Sequence, residues 1–125
     1  MNLFETQFAV LKEDFPQATW QAVGDGSCSV AIPDFVIPAG WSVPAVTLRF
    51  IAPVGYPMSK PDCFWCDHGV KLATGGVPQN TGETPIPGGP SPLLWFSWHT
   101  ANWSPNADTL RTYVHVIKKR FLELR

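Results

Sequence analysis

The chain has 125 residues, of which 45% are hydrophobic and 15% are charged, and its formal net charge is −1. We expect one folded domain, residues 1–125, because this length supports a single hydrophobic core and the composition excludes a disordered tail. The absence of a basic run argues against nucleic acid and anionic membranes as partners. With no apolar run long enough for a secretory signal or a membrane span, and three cysteines that cannot all pair, we expect a cytoplasmic protein.

The first predicted element is an amphipathic helix. Phe4, Phe8, Leu11 and Phe15 recur at helical spacing, and Pro16 ends the pattern. The sequence therefore predicts an N-terminal helix that covers the core with one apolar face.

Short extended runs follow between residues 19 and 52. Runs rich in strand-forming residues lie at 20–23, 29–32, 35–37 and 45–51, separated by turn residues. Because the connections are short, we predict an antiparallel β-meander.

The second half of the chain combines a Gly- and Pro-rich segment with a helix. Residues 75–92 are predicted to form a long irregular flap, followed by a short apolar run at 93–99, and loops of this length are usually functional or disordered. Asp108 is predicted to cap a final helix, whose run Lys118-Lys119-Arg120 is expected on the solvated face. The apolar positions of this helix are Leu110, Val114, Ile117, Phe121 and Leu124. The order predicts an α+β sandwich with helices packed on one sheet.

Three motifs in this order resemble those of the ubiquitin-conjugating (E2) family and its UBC-like fold. Residues 55–61 contain a Tyr-Pro turn followed by a second proline, Trp103-Ser104-Pro105 follows the flap, and the last helix begins near 108–110. Residues 71–80 and 96–99 are similar to a bacterial branch that is usually encoded beside ubiquitin-like proteins and an activating (E1-type) enzyme, in operons that look like antiphage defence or stress systems. The resemblance implies a ubiquitin-like protein and an E1-type enzyme as partners, and no cofactor or metal.

The sequence departs from the family pattern in two places. The His-Pro-Asn tripeptide of eukaryotic members has no literal copy, and residues 77–80, ending in Asn80, come nearest to it. No cysteine follows Asp67, whereas the family nucleophile lies a few residues before Trp-Ser-Pro, which here is the stretch 96–102.

Ser97 and His99 supply an alternative nucleophile and base in that stretch. A serine hydroxyl needs an adjacent base to become a nucleophile. We therefore predict that Ser97 carries the acyl group as an oxyester, with His99 as general base or acid and Asn80 or Asn102 as amide donor to the oxyanion. In an extended strand Ser97 and His99 share one face, with Cα atoms about 6–7 Å apart, so a bend or a bridging water would have to join them.

Other interpretations of these residues stay open. Ser97 could be a strand serine bonded to backbone, and the chain could be a catalytically inactive UBC-like module that only binds a ubiquitin-like protein or an E1 partner. Cys63 and Cys66 form a C-x-x-C pair that could serve redox chemistry or a zinc site completed by Cys28 or His68, but positions three apart in a strand face opposite sides. Cys66 as the acyl carrier is opposed by its place far ahead of the usual site. The side chains of His68 and His115 are expected in solvent.

Overall fold

The computed structural model describes residues 2–125. Its two helices and six strands are α1 (Leu3–Asp14), β1 (Thr19–Ala22), β2 (Cys28–Val36), β3 (Ala45–Ala52), β4 (Phe64–Asp67), β5 (Thr81–Gly82), β6 (Leu93–Phe96) and α2 (Leu110–Leu122). The strands form one sheet in the order β1-β2-β3-β4-β6-β5, and every neighbouring pair is antiparallel. The predicted α+β class is confirmed.

Helix α1 forms as its apolar spacing predicts. Phe4, Phe8 and Leu11 are buried in the main core, and the side chain of Asn2 caps the helix by accepting a hydrogen bond from the amide of Glu5 at 2.8 Å. The helix ends before Pro16, because a proline disfavours helical backbone at the residue that precedes it.

Strands β1 to β3 form the predicted meander, with one difference in β2. The runs at 29–32 and 35–37, expected to be separate, belong to one strand that continues to Val36 across a register shift between Ile32 and Phe35. Asp34 has φ 55° at this irregularity, and an extra residue of this kind lets a strand bend without ending. Alternate residues of β3 face the main core, as period-2 patterning requires.

The flap covers the sheet face opposite the helices. Ile86 packs on Trp65 and Leu93 in a second apolar cluster, and the indole N–H of Trp65 donates to the carbonyl of Thr84 at 2.8 Å. Gly89 is required here because a Cβ at this position would lie 2.4 Å from Cγ2 of Ile86. The expectation that all of 75–92 is irregular is wrong at β5, since the free edge of β6 offers backbone partners to residues 81 and 82.

Helix α2 lies on the same face as α1, and its cap differs from the prediction. The cap is Thr109, whose hydroxyl accepts from the amide of Thr112 in a capping box, while Asp108 accepts from the amide of Ser104 at 2.6 Å. Four of the five predicted apolar positions are buried, but Leu124 lies beyond the end of the helix and is exposed. Among the described residues no helix is long and apolar enough to span a membrane.

Arg120 is buried, which contradicts its predicted place on the solvated face. Its side chain is 0% exposed, whereas Lys118 and Lys119 are exposed as predicted. The guanidinium donates to the carbonyls of Gln79, Glu123 and Arg125, each at 2.9 Å. It also lies over three aromatic rings, 5.2–5.9 Å from their centroids: Trp41, Phe96 and Trp98. Arg120 therefore joins the end of α2 to the start of the flap.

Candidate functional site

The two sequence motifs that flank the site pack against each other. The indole N–H of Trp103 donates to the carbonyl of Pro57 at 2.9 Å, and the rings of Trp103 and Tyr56 lie 6.1 Å apart. The hydroxyl of Tyr56 donates to the side-chain oxygen of Gln7 on α1, and burial raises the pKa of that hydroxyl. This contact fixes residues 97–103 beside the segment that leads into β4.

The pairing of β4 with β6 places Cys63 beside the segment 97–99. Phe64 pairs with Phe96 at the end of the ladder, and one residue earlier the amide of Cys63 donates to the carbonyl of Trp98 at 2.9 Å. The hydroxyl of Tyr113, on α2, donates to the carbonyl of Cys63. Cys63 has φ 61°, a left-handed conformation that non-glycine residues adopt uncommonly. Its backbone is therefore held from two sides in an unfavourable conformation.

Asp62, Cys63 and His99 form a cluster at this corner of the sheet. The Cys63 sulfur, a carboxylate oxygen of Asp62 and a ring nitrogen of His99 lie within 4.8 Å of one another. Nδ1 of His99 is hydrogen-bonded to Oδ1 of Asp62, and the two side chains are 61% and 50% exposed. An imidazole that is oriented by a carboxylate and reaches solvent can take up and release a proton at a nearby group.

Ser97 lies at this corner, but its side chain is not joined to His99. Its amide donates to the carbonyl of Asn80 at 2.8 Å, and it is half-buried. Within residues 2–125 no hydrogen bond links the Ser97 hydroxyl to the imidazole of His99, whose Nδ1 is bonded to Asp62. Phe96, which is buried, and Trp98, which is partly buried, pack on the main core.

The two predicted asparagines occupy different places. Asn80 is exposed, has φ 61° and is next to Ser97 through the backbone hydrogen bond. Asn102 is exposed in the bend before Trp103, and its side chain has no hydrogen bond in the described part of the chain. Asn80 is thus adjacent to the predicted nucleophile, whereas Asn102 is near it only along the sequence.

The three cysteines differ in environment and form no disulfide in residues 2–125. Cys66 is 0% exposed on β4, and burial, followed by the charge of Asp67, raises the pKa of its thiol to about 12. Burial also raises the pKa of the half-buried Cys63 thiol, the hydrogen bond at the Trp98 backbone lowers it, and the Asp62 carboxylate raises it further. Because Cys66 faces the main core, Cys63 and Cys66 do not converge on one ligand.

The sequence analysis does not predict Asp62 as a site residue, and it considers Cys63 only as half of the C-x-x-C pair. The missed signal was the position of Pro61-Asp62-Cys63 immediately ahead of a strand that pairs with the run ending in His99. Asp62, Cys63 and His99 are also residue types that bind zinc, and this donor set differs from the predicted alternative of Cys63 and Cys66 with Cys28 or His68. His68 is exposed and paired with Glu83 at 2.9 Å, and His115 is exposed, as expected.

The helix-covered antiparallel sheet, with its Tyr-Pro and Trp-Ser-Pro motifs packed together beside the end of β6, is that of an E2-like protein. The chain belongs to prokaryotic E2 family E, whose family model matches residues 9–123. The predicted membership of a bacterial E2 family is confirmed. Neither a search of curated proteins nor a search of solved structures gives a match.

Proposed function

We propose that the chain is an E2-type conjugating enzyme. It accepts the C-terminus of a ubiquitin-like protein from an E1-type activating enzyme, holds it as an acyl intermediate, and passes it to an acceptor. Membership of prokaryotic E2 family E supports the general role. The observation that carries the acyl-transfer step is His99, an exposed imidazole oriented by Asp62 at the corner where β4 begins and β6 ends.

The proton transfers of such a reaction suit this pair. His99 takes the proton from the nucleophile as it attacks the activated carbonyl and returns a proton to the leaving group. Asp62 fixes the ring and stabilises the imidazolium that forms between these steps. The sequence prediction puts the acyl group on Ser97 as an oxyester, with Asn80 or Asn102 donating to the oxyanion, and these roles stay predictions.

A loading reaction tests the proposed function. The protein is mixed with ATP, an E1-type activating enzyme and a ubiquitin-like protein, and the products are measured by intact mass. We expect an adduct whose mass is the sum of the two proteins less one water, and which hydroxylamine cleaves. An aligned general base typically contributes 10²–10⁴-fold, so His99→Gln is expected to slow loading by about 10²-fold.

His115→Gln is the matched control, because His115 is an exposed histidine on α2 outside this corner. Its loading rate is expected to equal that of the unmodified protein. Binding of the ubiquitin-like protein without any adduct would contradict the proposal and identify the chain as a non-catalytic docking module.

A further inference from the structure

We infer that Cys63, rather than Ser97, carries the acyl group, as a thioester formed with the help of the His99–Asp62 pair. This inference rests on the proposed function and assigns the nucleophile within it. The sequence stretch 96–102 contains no cysteine, but the fold brings one to the same corner from the segment that precedes β4.

Proximity to the base is the first argument. The thiol sulfur of Cys63 lies within 4.8 Å of a ring nitrogen of His99 and of a carboxylate oxygen of Asp62. Catalytic hydrogen bonds are often long in the absence of substrate, and the imidazole is exposed enough to rotate or to act through one water. In the described residues no hydrogen bond joins His99 to the side chain of either Ser97 or Cys63. The base is assigned to the thiol because the Cys63 sulfur belongs to the cluster with His99 and Asp62.

The backbone of Cys63 is the second argument. Left-handed backbone at a non-glycine residue is unfavourable, and such residues cluster at functional sites. Here the conformation is held by hydrogen bonds to the carbonyl of Trp98 and from the hydroxyl of Tyr113, which is buried under the sheet. These two bonds fix the position of residue 63 relative to the segment that carries His99.

The chemistry of the thiol is the third argument. Burial, opposed by the Trp98 hydrogen bond and reinforced by the Asp62 carboxylate, keeps the pKa of Cys63 above its usual value. The group is therefore a thiol at neutral pH, and it needs the adjacent base to become the nucleophilic thiolate. Cys66, fully buried with a pKa of about 12, lacks both a base and access to a protein substrate.

The steps balance without a further reagent. The Cys63 sulfur attacks the thioester carbonyl of the loaded activating enzyme while its proton passes to His99. The bond to the activating enzyme breaks, and that departing thiolate takes the proton from the imidazolium. In the second half an acceptor amine attacks the Cys63 thioester, an amide forms, and Cys63 leaves as a thiolate that is protonated again through His99.

The loading reaction with four variants tests this assignment. We expect the wild-type adduct to be cleaved by dithiothreitol, Cys63→Ala to form none, and Cys63→Ser to form an adduct that resists dithiothreitol but is cleaved by alkali. Ser97→Ala and the control Cys28→Ala, a second half-buried cysteine, are expected to load within about twofold of wild type. Circular dichroism establishes that each variant is folded.

The outcomes separate the two proposals. An adduct that persists in Cys63→Ala and disappears in Ser97→Ala would overturn the inference and leave the proposed function standing. Failure of the wild-type protein to load would refute the proposed function itself.

Alkylation of the unmodified protein gives a second measurement that needs no partner. The protein is treated with iodoacetamide at neutral pH, and peptide mapping is expected to show that Cys63 is alkylated about tenfold faster than Cys66. His99→Gln is expected to slow the alkylation of Cys63 by about tenfold, because the imidazole takes the thiol proton and so produces the reactive thiolate. Equal rates at Cys63 and Cys66 would overturn the inference. Stoichiometric zinc in the purified protein, lost in Cys63→Ala, would overturn it in favour of a metal site.

Discussion

The two faces of the sheet bury apolar side chains by different means. One face lies under α1 and α2, and the other lies under the flap. Under the helices, side chains from both helices and from strands β2, β3, β4 and β6 form one large cluster. Under the flap, three buried residues form a small cluster, and hydrogen bonds from side chains to flap carbonyls supplement it. Periodic apolar patterning therefore builds the helix-covered face, whereas a few individual side-chain contacts hold the flap on the other face.

Removing a ring from the helix-covered face should have the largest effect on stability. Phe121 is fully buried and lies within 6.4 Å, centroid to centroid, of the rings of Phe35, Trp41, Phe64 and Phe96. Phe121→Ala removes this packing and leaves a cavity, so we expect the free energy of unfolding to fall by about 4 kcal/mol. Urea denaturation followed by circular dichroism measures it, with the exposed Val36→Ala as control. A loss no larger than that of Ile86→Ala, the matching truncation under the flap, would contradict the difference between the two faces.

Arg120 connects the two regions, and its replacement should have an intermediate effect. Arg120→Met keeps much of the apolar stem but leaves the carbonyls of Gln79, Glu123 and Arg125 without their donor. Each such hydrogen bond contributes roughly 1 kcal/mol, so we expect a loss of about 3 kcal/mol. Hydrogen exchange should also quicken at residues 79–82. Lys119→Met, at the exposed neighbouring position, should change neither measurement.

The smallest of the three effects is expected under the flap. Ile86→Ala removes the side chain that packs on Trp65 and Leu93. Because the irregular flap can move closer to fill the space, we expect the free energy of unfolding to fall by only about 2 kcal/mol, at the low end for such a truncation. Amide exchange should rise in 83–92 while exchange in α1 and α2 stays as in the wild type. Global loss of protection in both helices would show that the flap is part of the main cooperative unit.

The same contrast explains which elements the sequence predicts. Helix α1, strand β3 and the apolar face of α2 follow from periods of 3.6 and 2 that local residues display. The flap is recognised from its prolines and glycines, but the short strand β5 is not, because its pairing depends on the edge of β6. The sequence predicts Arg120 in solvent because neighbouring lysine and arginine residues on a helix usually lie on its solvated face, and only the fold reveals the carbonyls around it.

The candidate site was predicted in part for a similar reason. The Tyr-Pro and Trp-Ser-Pro motifs direct attention to this corner of the sheet, and the sequence predicts His99 as general base or acid within it. The partner carboxylate of His99 comes from residue 62, which lies 37 positions earlier. That contact depends on the antiparallel pairing of β4 with β6 across the whole flap, and no local pattern contains it.

The two tyrosines of this sequence give the fold an optical reporter. Both phenol groups donate hydrogen bonds inside the structure, one from Tyr56 to Gln7 and one from Tyr113 to the residue before β4, and burial raises the pKa of each. Phenolate absorbance should therefore stay absent through the alkaline range in which free tyrosine ionises. Its appearance marks the moment when water reaches the hydroxyls of Tyr56 and Tyr113.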